Sequence, residues 1–299
     1  MKVAAIGECM IEISGPAAGA RVGFGGDTLN TAIYLARAGV AVDYLTALGD
    51  DPFSDKMLVA WQAEGVGIEG IVRRPGRLPG LYLIRTAEGG ERNFYYWRDQ
   101  APARELFAGD SAAVLDSLAA YDWVYLSGIT LSVIGAAGCA ALLERLDALK
   151  AGGLRLAFDS NYRPRGWPEA AAARAEFDRL LPLVDIALPT LDDERALYGD
   201  GDGAACAARH RAAGVAEVVV KMGADGCLVA AEGETTHVPV PETPAPVDTT
   251  GAGDSFNAAY LAARLAGRAP AAAAAAGHQL AARVISCHGA ILPREAEND

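Results

Sequence analysis

Short apolar runs alternate along this chain with longer stretches whose apolar residues recur at helical spacing. Val3–Gly7, Val42–Leu48, Trp123–Ser127, Leu154–Asp159, Asp185–Leu188 and Glu217–Lys221 read as strands. The first of them runs into a carboxylate, Glu8. Thr28–Ala38 reads as a helix with Asp27 as its N-cap and Gly39 as its stop. Asp51-Pro52 opens a second helix, with proline at its first position, and Gly65 closes it. Further helices are expected near 136–150, 169–181, 191–198, 204–213, 254–266 and 271–287. Strand and helix in alternation predict a mostly parallel sheet with helices on both faces.

Two segments break that alternation. Gly80–Thr86 and Arg92–Arg98 flank Glu88-Gly89-Gly90 and read as a hairpin. Met10–Ser14 and Arg21–Phe24 supply companion strands. A small β lid is therefore expected on the α/β body, from residues of roughly 10–25 and 71–100. No repeat, linker or charge run marks a second unit, so residues 1–299 are read as one domain.

Composition narrows the partners more than the fold. A chain 52% hydrophobic and 21% charged is foldable rather than disordered. Much of the apolar fraction is alanine, as in Ala271–Ala276, and Arg264, Arg268, Pro270 and His278 interrupt the richest stretch. No membrane span and no secretory leader are expected. Five scattered cysteines without a CxxC pair fit reduced thiols and a cytoplasmic setting. A net charge of −12 argues against nucleic acid as the main partner. If the ligand is an anion, its cations must be placed locally, against that field.

The most informative stretch is Val247-Asp248-Thr249-Thr250-Gly251-Ala252-Gly253-Asp254-Ser255-Phe256-Asn257. A Thr/Gly turn runs directly into an apolar helix. Its glycines let backbone amides approach an anion, and the helix N-terminus adds partial positive charge. Asp254 stands beside that site, either as a helix cap or as a base for an attacking hydroxyl. The stretch is not a P-loop, and the dinucleotide fingerprint fails both here and at Gly23–Thr28.

This stretch resembles the C-terminal motif of the ribokinase-like (PfkB) carbohydrate kinases. Gly25-Gly26-Asp27-Thr28-Leu29-Asn30, followed by an apolar helix, resembles the family's N-terminal motif. The resemblance covers essentially the whole chain. It implies a ribokinase-like three-layer α/β/α body with a small β lid. It also implies ATP with Mg²⁺, and it leaves room for a monovalent cation. Gly251, Ala252 and Gly253 would form the anion hole, Asp254 would be the base, and Gly26, Asp27 and Asn30 would meet the sugar.

Within the family, Pro79-Gly80-Leu81-Tyr82, Asn93-Phe94-Tyr95-Tyr96-Trp97-Arg98, Asp159-Ser160-Asn161-Tyr162-Arg163-Pro164-Arg165 and Gly289–Glu295 are similar to the bacterial 2-keto-3-deoxygluconate kinases. The residues suit an acidic sugar on physical grounds. Phe94, Tyr96 and Arg98 share one strand face. Arg163 follows a strand end, where open α/β sheets bind ligands. A guanidinium matches a carboxylate bidentately. Spacing alone would also allow Arg98 and Arg163 to be surface arginines, and Tyr82 to be a core aromatic.

For the nucleotide, the resemblance implicates Asn161, Arg163, Lys221, Gly223, Gly226, Gly251, Gly253 and His278. Lys221 could instead be a strand-end charge, and His278 a packing residue. Thr190-Leu191-Asp192-Asp193-Glu194 resembles the family's NxxE element, with Thr190 in place of Asn. It implies an outer-shell magnesium role for Glu194, which otherwise reads as an exposed helix residue. The expected activity is ATP-dependent phosphorylation of 2-keto-3-deoxygluconate at its 6-hydroxyl. The rival readings are a fructokinase-like enzyme for a neutral sugar and a non-catalytic sugar or nucleotide sensor. Pairing of two copies through the lid strands is compatible with the resemblance.

Overall fold

The computed structural model describes residues 1–15, 19–86, 92–109, 112–242 and 245–294. Its strands are β1 (Lys2–Ile6), β2 (Met10–Ser14), β3 (Arg21–Gly25), β4 (Ala41–Leu45), β5 (Ala47–Gly49), β6 (Val72–Arg74), β7 (Leu81–Thr86) and β8 (Arg92–Trp97). They continue with β9 (Trp123–Ser127), β10 (Arg155–Asp159), β11 (Ile186–Ala187), β12 (Glu217–Lys221), β13 (Cys227–Ala231) and β14 (Glu234–Val238). The helices are α1 (Asp27–Arg37), α2 (Pro52–Ala63), α3 (Ala112–Ser117), α4 (Gly128–Lys150) and α5 (Ala170–Leu180). After them come α6 (Leu191–Tyr198), α7 (Gly203–Ala212), α8 (Ala252–Leu265) and α9 (Pro270–Val284).

Eight strands form the central sheet in the order β14-β13-β12-β11-β10-β9-β1-β4. All neighbours are parallel except β12–β13 and β13–β14. The two-residue period of the strands sorts their side chains into two cores. Ala4, Ile6, Val124, Leu126, Leu156, Phe158, Val218 and Val220 face the side covered by α4, α5, α6 and α7. Val3, Ala5, Trp123, Tyr125, Ala157 and Val219 face α1, α2, α8 and α9. Burial on both faces explains why these strands read as unbroken apolar runs. Each fully buried Leu or Ile contributes about 1.5–3 kcal/mol, and both cores are rich in them.

The helix starts follow local chemistry. Asp51 caps α2 by accepting from the amides of Phe53 (2.9 Å) and Ser54 (3.1 Å), with Pro52 at the first position. Ser127 and Thr130 form a reciprocal capping box at the head of α4. For that reason α4 starts at Gly128, earlier than the expected 136, and it bends where Gly135 takes φ 65°. By length and composition α4 could cross a membrane, contrary to expectation. Its apolar side, including Leu131, Leu142, Leu143 and Leu146, is instead packed in the core.

Other expectations need correction. Val42–Leu48 is not one strand. The Thr46 carbonyl accepts from the Val72 amide (2.9 Å), and β5 leaves the sheet to pair with β6. β6 therefore pairs with β5 rather than with the lid strands, whereas the Gly80 carbonyl accepts from the Ile11 amide of β2 (2.8 Å). Asp27 does not cap α1: Gly26 is the N-cap, and Asp27 lies in the first turn. The hairpin β13–β14 was not anticipated. Its turn, Glu232 (φ 57°) and Gly233 (φ 85°), has the two positive φ angles of a type I′ turn.

The lid is a four-stranded sheet, β3-β2-β7-β8. The register sets Glu12 beside Tyr82 and Tyr82 beside Tyr96, so these three share a face. The expected turn at Glu88-Gly89-Gly90 lies outside the described residues.

Candidate active site

Four parallel strands end along one edge of the sheet. β1 leads to Glu8, β9 ends at Ser127, β10 at Asp159 and β12 at Lys221. The chain visits β4 on one side of β1 before returning to β9 on the other. Such a reversal leaves a crevice at the carboxyl ends of the strands.

α8 brings its N-terminus to this crevice. Gly251 takes φ 75°, and a Cβ there would stand 2.7 Å from the Cβ of Ala290, so only glycine fits. Asp248 fixes the turn by accepting from the amides of Thr250 (3.0 Å) and Gly289 (2.8 Å). The Ala252 amide turns back to the Thr249 carbonyl (3.3 Å). An anion at this helix end would meet the first-turn amides from Gly253 onward.

Asp254 lies in that first turn. Its Oδ2 accepts from Nδ2 of Asn30 (2.8 Å), and its backbone carbonyl accepts from the Thr31 hydroxyl (3.2 Å). α1 therefore holds both the carboxylate and the backbone of Asp254. Asp27 accepts from Nδ2 of Asn161 (2.7 Å). Burial, then the charges of Asp27 and Asp159, push the Asp254 carboxyl up to about 8, against the hydrogen bond from Asn30. A carboxylate works as a base only when ionised. We expect kcat/KM to fall about tenfold per unit as pH drops below about 8 and to level off above it. A profile flat from pH 6 to 9 would contradict this.

Lys221 lies beneath the same turn, 3.6 Å from where a Cβ on Gly253 would be. Its Nζ donates to Asp159 Oδ2 (3.1 Å) and Asn257 Oδ1 (3.0 Å). Asn257 Nδ2 donates in turn to Asp159 Oδ2 (2.7 Å) and Tyr125 Oη (3.1 Å). Lys221→Met would leave Asp159 buried without its counter-ion. A loss of about 3–5 kcal/mol is expected in urea unfolding, and a loss below 1 kcal/mol would refute the pairing.

On the lid, Tyr82, Phe94 and Tyr96 form one aromatic cluster, with ring centroids 6.0–6.4 Å apart. The Tyr82 hydroxyl donates to Glu12. The Arg98 guanidinium lies over the Tyr96 ring (6.0 Å) and donates to the buried Glu8, at the head of the body. Arg163 binds Asp193 through both carboxylate oxygens (3.0 Å each). Each arginine thus already holds a carboxylate, and Arg163 does so from the surface, with its side chain 55% exposed. Gly223 (φ 61°) and Gly226 (φ 85°) shape the turn from β12 into β13.

Two residues depart from expectation. Glu194 is not exposed but enclosed, 1% accessible, and its carboxylate accepts from Arg209. Ser160, on the loop after β10, and His210 face the same carboxylate. His278 packs on the Phe256 ring (5.0 Å), with Nε2 3.2 Å from the Val238 carbonyl oxygen. Sequence reasoning missed Glu8, Glu12, Thr31, Asp159, Asp193 and Asn257 as site residues. Asp159 and Asn257 stand inside the motifs already singled out, which was the available signal.

Comparison with known proteins places the chain. A family model described as "pfkB family carbohydrate kinase" matches residues 1–297. A 2-dehydro-3-deoxygluconokinase from Escherichia coli K12 is 48% identical over 303 residues, covering 99% of this chain and 98% of that protein. A protein of the same name from Dickeya dadantii is 47% identical, covering 98% and 97%. An E. coli protein described as a ribokinase II, solved with ATP and Mg²⁺, superposes with a TM-score of 0.84 at 25% identity, over 97% of this chain and 94% of that one.

Proposed function

The chain belongs to the pfkB family of carbohydrate kinases, and we propose that it transfers the γ-phosphoryl group of ATP to the 6-hydroxyl of 2-keto-3-deoxygluconate. One observation carries the reading. A half-buried carboxylate, Asp254, is held by Asn30 at the N-terminus of α8, and arginines on the lid and after β10 flank the same crevice. The first part suits proton removal beside an anion. The second suits a sugar that carries a carboxylate. The close relatives named 2-dehydro-3-deoxygluconokinase support the same substrate.

In this reading Asp254 takes the proton of the 6-hydroxyl as that oxygen bonds to the γ-phosphorus. The bond from the γ-phosphorus to the bridging oxygen breaks, and ADP leaves with the electron pair. The amides at the head of α8 stabilise charge on the moving phosphoryl group. Three carboxylates, Asp27, Asp159 and Asp254, face one ammonium, Lys221. Such a lining fits a nucleotide that arrives with its own cation. Magnesium brought in with ATP supplies neutralising charge on the phosphates. Asn161, on the loop after β10, stands on the nucleotide side. Tyr82 and Tyr96 cover the sugar from the lid and exclude water.

The test is the identity of the product. One ADP should form per sugar consumed, and the phosphorus of the product should couple to the protons at carbon 6 in NMR. A phosphate on any other hydroxyl, or ADP release without sugar, would overturn the reading.

A further inference from the structure

We propose that Glu194, Cys206 and His210 form a binding site for a borderline-soft divalent cation, with zinc as the ion whose chemistry fits. Cys206 and His210 are four residues apart on α7, so they share one helix face. Glu194 meets them from α6. The three ligand atoms all lie within 4.8 Å of one another, and all three residues are buried. Zinc holds such ligands at about 2.0–2.3 Å, which sets them about 3.5 Å apart. The cluster must therefore close by about 1 Å, within the reach of small χ rotations.

A second observation points to a ligand. Buried polar atoms are nearly always hydrogen-bonded, and an exception calls for a cause such as an ion. Here Glu194 Oε1, Ser160 Oγ and both ring nitrogens of His210 lack close hydrogen bonds, with Ser160 and His210 both facing the Glu194 carboxylate. His210 is 2% accessible and Glu194 1%. The His210 Nε2 stands 3.6 Å from Glu194 Oε2. Arg209 occupies that same Oε2 and also binds Asp200 (2.8 Å), which leaves Oε1 for another partner.

The donor set selects the ion. Thiolate and imidazole favour zinc, whereas magnesium and calcium take oxygen ligands. Binding must release the Cys206 proton to solvent, because the thiolate is the ligand. Arg209 adds a cation nearby, which Glu194, Asp200 and the new thiolate offset in charge. Affinity should therefore be moderate and should rise steeply with pH, by about tenfold per unit. A bound ion would join α6 to α7. It would also stiffen Asp193, which holds Arg163, although the site itself does not depend on the proposed kinase substrate.

The experiment uses the whole chain, stripped with chelator and titrated with Co²⁺, then with Zn²⁺. One equivalent of Co²⁺ should bind with a thiolate charge-transfer band, and Zn²⁺ should displace it. Saturating zinc should raise the melting temperature by about 5 °C. Cys206→Ser should abolish the charge-transfer band, and Cys287→Ser should keep it. His210→Gln should weaken binding at least tenfold, which decides the matter if the serine variant misfolds. Substoichiometric Co²⁺, no thiolate band, or a band that survives Cys206→Ser would overturn the proposal. The unpartnered atoms would then be explained by a Glu194–His210 ion pair or a buried water.

Discussion

Asp254→Asn is expected to lower kcat by about 10²–10⁴ while leaving ATP affinity within about threefold. Asparagine keeps the size of the side chain and can still offer its carbonyl oxygen to Asn30, which now meets Oδ2 at 2.8 Å. The helix N-terminus is left intact, so the phosphate site should persist. What disappears is the ability to take a proton. Stability gives an independent sign. The half-buried Asp254 carboxyl is pushed up by desolvation and by Asp27, so its ionised form costs free energy above its folded titration point. The variant should unfold at equal or higher denaturant than wild type at pH 9. A variant keeping more than half of kcat would refute the assignment. One that loses both activity and stability would point to a structural role for this carboxyl.

Arg98→Ala and Arg163→Ala should each cost about 10- to 150-fold in kcat/KM for the acidic sugar, and far less for a neutral analogue. A charge-assisted hydrogen bond contributes roughly 1.5–3 kcal/mol, which gives that range. The global charge of −12 works against capture of an anion, so recognition rests on short-range cations. Both arginines already hold carboxylates, Glu8 and Asp193, and binding of substrate would be a sharing or an exchange of partners. Truncating Arg98 also strands Glu8, whose carboxyl burial already pushes up. The Glu8→Gln/Arg98→Ala double variant therefore separates lost recognition from a stranded charge. Two arginines on one carboxylate need not be additive, and lysine should rescue neither fully, because it lacks the fork. Equal losses on both sugars would assign these residues to the nucleotide or to the fold.

The central sheet was legible because strands buried on both faces leave apolar runs such as Val218–Val220 that nothing else produces at that length. The lid was legible from alternating aromatics on either side of a glycine pair. The break at Thr46 was not, because it depends on a partner strand 26 residues later, and local pattern carries no pairing information. The same limit applies to the site. Asp254 announces itself through its turn. The Lys221–Asp159 pair spans 62 residues, so Lys221 could be read equally as a strand-end charge. Glu194 looked like one acidic residue among three at a helix start, and only packing against Arg209 and His210 shows it to be enclosed. His278 stood in an alanine-rich helix with no local sign of Phe256 beside it.

The most direct test is kcat/KM of the wild-type protein on 2-keto-3-deoxygluconate and on fructose, both at saturating Mg-ATP. With two arginines reserved for a carboxylate, preference for the acid should be at least about 100-fold. Equal values, or a preference for fructose, would contradict the account and assign the crevice to a neutral sugar.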